Sequence, residues 1–367
     1  MAALRVGVLG GGFMAAVHSR AARSAGAVLA GIASSSPEKG ERAAGELGFE
    51  RSHSDARALI EDDDIDLVHV CTPNASHAEL ALAAIAAGKH VVCEKPLAAS
   101  VQEARSLARA AASAGIVAAV PFAYRFHPMV REARARVAAG ETGRLVTVRG
   151  SYLQDWLLGA SDDDWRVDPA SGGRSRAFGD IGSHLVDLLE FVTGERIESL
   201  ASVTSTIHAE RGGRPVETED VAGAIVRLSG GAVGTLLVSQ VTAGHRNELV
   251  LEVSGLDESL RFEQELPETL WVGRRDSAAL VPRDAAILAP DAARLSIVPS
   301  GHPMGYQDAF NAFARDTYAA VAGAEVEGLP TFDDGLRAAL ITEAVLDAAA
   351  TGSWVGVPGA ADEQSGA

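Results

Sequence analysis

The chain has only two cysteines among its 367 residues, Cys71 and Cys93. Both sit in apolar, strand-like segments, the ordinary setting of reduced core thiols, and neither lies in a ligand-spaced cluster. A disulfide framework is therefore excluded and no metal site is expected. Long apolar runs are also missing: a membrane span needs roughly 18 or more such residues, and "AELALAAIAAG" stops at Lys89. The opening "MAALRVGVLGGG" lacks the basic region, apolar run and cleavage site of a signal peptide, so a cytoplasmic protein without a membrane partner is expected. Basic charge is scarce, with 32 Lys and Arg against 49 Asp and Glu and a net charge of −17, which argues against a nucleic-acid partner. The densest acidic run, "EDDDID" at 61–66, reads as a solvated loop ahead of a strand.

What is present is an aliphatic chain, 47% hydrophobic, and longer than the roughly 250–300 residues at which single cores stop growing. Two domains are expected. In residues 1–122, short β-branched runs ("LRVGVLG", "VLAGIAS", "IDLVHVCT", "HVVCE", "IVAAVP") alternate with alanine-rich helical stretches. Strands apolar on both faces and separated by helices predict a parallel, doubly wound sheet of the Rossmann type. From residue 123 to 357 the pattern changes to alternating stretches such as "RLVTVRGSYLQ" and "AGAIVRLSGGAVGTLLVSQ", joined by glycine-containing turns. These predict an α+β domain with a large, mostly antiparallel open sheet, and residues 358–367 read as a frayed tail.

The first chemical motif is "GVLGGGFMAAVH". Gly10, Gly12 and Ala15 form G-x-G-x-x-A between a strand and a helix: a tight turn, a close approach for a pyrophosphate, and a small residue for helix packing. Dinucleotide binding is expected there. About 20 residues on, an acid would bind the ribose hydroxyls of NAD. The chain has "IASSSPEKG" instead. Ser34 and Ser35, with Lys39, suit a 2′-phosphate, while the same serines also suit a turn and a cap on the helix starting at Pro37. NADP is favoured over NAD, with dual use left open.

"CEKPL" leaves the end of a strand, where ligands bind in doubly wound sheets, so Lys95 is expected to face the cofactor, with Pro96 ending the strand. A second constellation is "GDIGSHLVDLLEFVTG". At about 100° per residue, Asp180, His184 and Asp187 share a stripe beside an apolar one. A neutral His184 accepts a substrate proton and Asp180 orients it; a satisfied core histidine is the alternative.

With "VCTPNASHAELALAAIAAGKHVVCEKPLA", "YRFHP" and "GDIGSHLVDL" following in this order, the chain resembles the Gfo/Idh/MocA family of glucose–fructose oxidoreductase and inositol dehydrogenase relatives. The resemblance implies an NAD(P)-dependent oxidoreductase acting on a hydroxyl or ketone of a sugar, anhydrosugar, glycoside or cyclitol, and a homodimer or homotetramer. It implies Lys95, Asp180 and His184 as the catalytic set. For the cofactor it implies Thr72, Pro73, Asn74, His77 and Glu94, with Phe13 and Met14 beside the glycines. Substrate candidates are Tyr124, Gln154, Asp155, Trp156, Trp165, Arg166, His302 and Tyr306, because sugars present apolar C–H faces between hydroxyls. Two alternatives remain: a relative that retains NAD to cleave glycosides or eliminate, and a non-catalytic nucleotide sensor.

Overall fold

The computed structural model describes residues 3–359, so the expected tail lies outside the described residues from 360 onward. The chain divides into two compact units, Met1–Ala123 with Tyr306–Leu336, and Tyr124–Gly305 with Arg337–Ala367. In the first unit β1 (Arg5–Leu9), α1 (Phe13–Ser24), β2 (Val28–Ala33), α2 (Pro37–Leu47), β3 (Arg51–Ser52), α3 (Ala56–Ile60), β4 (Leu67–Val70), α4 (His77–Ala86), β5 (His90–Cys93), α5 (Val101–Ala114) and β6 (Ala118–Ala119) follow one another. The strands are parallel in the order β3-β2-β1-β4-β5-β6. Val6, Val8, Leu67, Val68, Val70, Val91 and Val92 have no exposure, as strands covered on both faces require. Strand order reverses beside β1, so the carboxyl ends of β1, β2, β4 and β5 deliver Gly10, Ser34, Cys71 and Glu94 to the switch point where such sheets bind ligands. Local signals set the helix ends: Ser100 accepts from the Glu103 amide at 3.3 Å to start α5, and Gly115 ends it in the left-handed conformation.

The second unit contains α6 (Pro128–Ala138), β7 (Leu145–Leu153), the one-turn α7 (Pro169–Gly172), a π-helical turn at Phe178–Gly182, α8 (Ser183–Thr193), β8 (Ile197–Ser205), the small hairpin β9 (Glu210–Arg211) and β10 (Arg214–Pro215), β11 (Val221–Leu228), β12 (Val233–Ser239), β13 (Glu248–Gly255), β14 (Ser259–Glu263), β15 (Thr269–Gly273), β16 (Ala278–Pro282) and α9 (Pro290–Leu295). Then come α10 (Tyr306–Val321), α11 (Phe332–Thr351) and β17 (Val355–Gly356). The nine-stranded sheet runs β16-β15-β14-β13-β7-β12-β11-β8-β17, antiparallel throughout except for the β7–β12 pair. Helices α6 and α8 cover one face, burying Val148, Tyr152, Leu236, Leu251 and Phe262. Gly150 permits that approach, since a Cβ there would stand 2.9 Å from Leu185 Cδ1. The opposite face leaves Val203, Ile225 and Leu237 exposed.

Helix α10 differs from the sequence expectation, which placed everything from 123 to 357 in the second domain. It packs on α1 in the first unit, where Gln307 Nε2 donates to the Val17 carbonyl at 3.2 Å and Tyr318 OH lies 2.8 Å from His69 Nε2.

Candidate active site

The glycine turn after β1 is shaped for close approach. Gly10 has φ +114° and its missing Cβ would meet the Cys71 carbonyl oxygen at 2.6 Å, so only glycine fits. At Gly12 an added Cβ meets nothing within 4 Å. Gly12 also serves as the N-cap of α1 without any side-chain cap, leaving the first-turn amides for an anion. These features fit a dinucleotide pyrophosphate. Phe13 is 71% exposed at this turn, and Met14 Sδ lies 3.9 Å from Tyr306 OH, whose ring packs on Phe310. Tyr306, expected with the substrate residues, thus sits beside a cofactor candidate. After β2, Ser36 caps α2 by accepting from the Lys39 amide, while Lys39 Nζ donates to Ser35 Oγ at 3.1 Å. Capping therefore falls to Ser36 and spares Ser34 and Ser35.

The turn after β5 is held from below. Lys95–Pro96 is a cis peptide, and the Lys95 amide donates to Glu94 Oε2 at 3.1 Å. The other Glu94 oxygen lies 2.8 Å from His18 Nε2; His18 Nδ1 is 2.9 Å from His69 Nδ1, and His69 reaches Tyr318. Burial opposes charge on His18, but Cys71 and Glu94 favour it and push the imidazole up to about 10. Burial, then the His18 charge, hold His69 well below its ordinary value. A charged His18 therefore donates to a neutral His69, which donates to Tyr318. His77 is fully buried, with Nδ1 2.9 Å from the Pro96 carbonyl and Nε2 2.8 Å from that of Thr72, so it braces the β4 turn (Thr72, Pro73, Asn74) to the β5 turn.

In the second unit, Asp180 lies in the π-helical turn and His184 in the first turn of α8. Glu219 caps this start, accepting from the amides of Phe178 (2.9 Å) and Arg176 (3.2 Å) and from Ser175 Oγ (2.7 Å). Asp180 Oδ2 accepts from Gln240 Nε2 at 2.8 Å, and its Oδ1 stands 3.4 Å from Arg166 Nε. The π turn interrupts the 100° progression between Asp180 and His184, while Asp187, three residues further along α8, is buried in a forked ion pair with Arg125.

The His184 ring is 4.9 Å from the Tyr124 ring, edge on, and 6.4 Å from that of Tyr152. Tyr124 and Tyr152 hydroxyls are 2.6 Å apart, Tyr152 donates to Asn247 Oδ1 at 2.7 Å, and Asn247 Nδ2 donates to Tyr124 at 3.1 Å. Because Tyr152 spends its proton on Asn247, Tyr124 donates to Tyr152 and the three groups form a closed ring. Burial pushes the Tyr124 phenol up, keeping it protonated. Gln154 extends the ring to Asn247 at 2.8 Å and accepts from Trp156 Nε1 at 2.8 Å. Asp155 pairs with Arg246 at 3.1 Å, and Arg166 stacks over Trp165 at 4.3 Å. His302 is exposed, and its carbonyl accepts from Arg283. Sequence reasoning missed Tyr152, Glu219, Gln240 and Asn247, which sit in or beside strands where an inward polar residue gives no periodic signal.

The glycine turn of the first unit is that of a dinucleotide-binding fold, and similarity to known proteins gives the class, a nicotinamide-dependent oxidoreductase. Residues 4–122 match the model of the oxidoreductase family with an NAD-binding Rossmann fold, and residues 130–261 the model of the GFO/IDH/MocA C-terminal domain. Levoglucosan dehydrogenase of Pseudarthrobacter phenanthrenivorans is 35% identical, over 97% of this chain and 98% of its own. A 1,5-anhydro-D-fructose reductase of Ensifer adhaerens is 31% identical over 90% and 92%. The structure of levoglucosan dehydrogenase in complex with NADH and levoglucosan superposes with a TM-score of 0.91, covering 97% of this chain and all of that one at 35% identity. The chain belongs to the Gfo/Idh/MocA oxidoreductase family. The expected family and fold class are borne out, and the enzyme reading stands over the sensor. Among the described residues no helix is long and apolar enough to cross a membrane.

Proposed function

We propose that the chain interconverts a secondary hydroxyl and a ketone on a sugar or anhydrosugar, with His184 as general base, Asp180 as its orienting partner and Lys95 as the cation that hydrogen-bonds the reacting oxygen. The observation that carries this reading is the arrangement around His184: an imidazole edge-on to Tyr124, a closed polar ring of Tyr124, Tyr152 and Asn247, and a Gln154–Trp156 extension. Aromatic faces alternating with hydrogen-bonding groups match the alternating C–H faces and hydroxyls of a carbohydrate. Relatives named as a levoglucosan dehydrogenase and an anhydrofructose reductase support the anhydrosugar class.

Gly10, Gly12, Phe13, Met14, Ser34, Ser35 and Lys39 would hold a nicotinamide dinucleotide, which would supply the hydride acceptor. His184 takes the hydroxyl proton and returns it in the reverse direction; Lys95 steadies the negative oxygen as it forms. NADP is favoured over NAD in this reading because Ser34 stands where an acid would bind the ribose hydroxyls and Lys39 stands beside Ser35. The reading includes a cytoplasmic setting, consistent with two free thiols at Cys71 and Cys93. It also includes a homodimer or homotetramer in which a second copy covers the open sheet face at Val203, Ile225 and Leu237.

The test is incubation with NAD or NADP and a panel of sugars, anhydrosugars, glycosides and cyclitols, following nicotinamide absorbance and identifying the product. Reduced cofactor together with a ketosugar supports the reading. Cleaved glycoside without free reduced cofactor replaces it with a retained-cofactor lyase.

A further inference from the structure

Gln240 follows the last residue of β12 and is completely buried. Its carboxamide has two chemically opposite ends. The guanidinium of Arg176, which can only donate, places Nη1 3.4 Å from Gln240 Oε1. The Nε2 end, which also can only donate, lies 2.8 Å from Asp180 Oδ2. Turning the amide over would set donor against donor at Arg176 and acceptor against acceptor at Asp180. Its polarity is therefore dictated by Arg176.

Arg176 is in turn immobilised. Its side chain and that of Asp220 have no exposure; it is ion-paired with Asp220 and donates from Nε to Thr218 Oγ1 at 3.2 Å. Asp220 also accepts from Arg211 at 2.9 Å and from the Ile207 amide at 2.6 Å. The adjacent Glu219 caps the turn that carries Asp180. The segment Thr218–Asp220 thus holds both the catalytic helix start and the arginine that orients Gln240.

We propose that Gln240 is a positioning residue for the reaction, an amide locked by Arg176 so that it presents a donor to Asp180, fixing the plane of that carboxylate and keeping it an acceptor. The proposal rests on the reading of Asp180 and His184 as the acid–base pair. The charged groups around this amide are Arg176, Asp220 and Arg211 on one side and Asp180 with Arg166 on the other.

Two substitutions separate positioning from packing. Gln240→Glu keeps an acceptor for Arg176 but sets a carboxylate against Asp180, and Gln240→Met keeps the volume and loses both bonds. The loss of a charge-assisted buried bond predicts kcat about 10- to 100-fold lower in either variant, with cofactor Kd unchanged. Gln240→Glu melts below parent because a buried carboxylate is set against Asp180, so the discriminating readout is the pH dependence of kcat and not stability. As pH falls and the introduced carboxyl gains a proton, it regains a donor, so kcat relative to parent recovers for Gln240→Glu and stays low for Gln240→Met. Asp180→Asn is measured alongside. Parental kcat in Gln240→Glu with an inactive Asp180→Asn overturns the proposal alone; parental kcat in Asp180→Asn overturns the reading beneath it. If Gln240→Glu does not fold, parental kcat in Gln240→Met overturns the proposal.

Discussion

The two glycines of the cofactor turn are predicted to fail in different ways when replaced by alanine. At Gly10 the backbone has φ +114°, and an added Cβ meets the Cys71 carbonyl oxygen at 2.6 Å, a backbone atom of the β4 end that cannot rotate away. A positive φ of this kind costs about 1–3 kcal/mol for a residue with a side chain, and the clash adds to it, for a total of about 3 kcal/mol or more. In a unit of this size each kcal/mol lowers the melting temperature by about 2–4 °C, so Gly10→Ala should melt about 6–12 °C below parent. At Gly12 the backbone is extended, φ −94° and ψ −160°, and an added Cβ touches nothing. Gly12→Ala should keep the parental melting temperature while weakening NAD(P)H binding about 10- to 100-fold, because the methyl occupies the space a pyrophosphate needs. Thermal scanning and a titration of cofactor fluorescence read the two quantities separately. Parental cofactor affinity in Gly12→Ala, or equal melting losses in both variants, refutes the account of the turn.

Lys39→Ala should raise KM for NADP by about tenfold, the worth of one exposed charged contact to a phosphate, and leave KM for NAD unchanged; steady-state kinetics with both cofactors decide this, and equal effects on the two would remove Lys39 from the phosphate site. Burial holds the His127 imidazole down to about 4, with the Glu268 carboxylate opposing in part. The unfolded chain takes up this proton near 6.5, so the contribution is complete above that pH and is lost as pH falls toward 4, by about 3 kcal/mol. Denaturant unfolding of parent and His127→Asn at neutral and mildly acidic pH checks this: the variant should lose less stability on acidification, and an identical loss would contradict the assignment.

The Rossmann unit was legible because its strands and helices report on themselves. "RVGVL" is buried on both faces and is followed by Gly10, which only a turn of this shape requires, and Ser36 and Ser100 cap their helices within three residues. The membership of α10 was not legible. Its amphipathic pattern says that one face is buried but not in which core, and its contacts with Val17 and His69 span some 290 and 249 residues of chain. Helical periodicity correctly located the Asp180–His184 segment yet missed the π turn, since the residue that caps it, Glu219, comes from 41 positions away. Spacing placed Asp187 on the stripe of Asp180 and His184 but could not show its partner, Arg125, which lies 62 positions away. Gln240 and Asn247 carried no signal at all, as a single amide beside a strand becomes meaningful only when the opposite groups are in place.

The central claim is that His184 moves the proton during carbohydrate oxidation. The most direct measurement is kcat of His184→Ala against parent with the best carbohydrate substrate, together with cofactor affinity for each. Loss of a general base predicts a fall of about 10²–10⁴-fold in kcat with cofactor affinity unchanged. A variant that turns over at the parental rate would contradict the account.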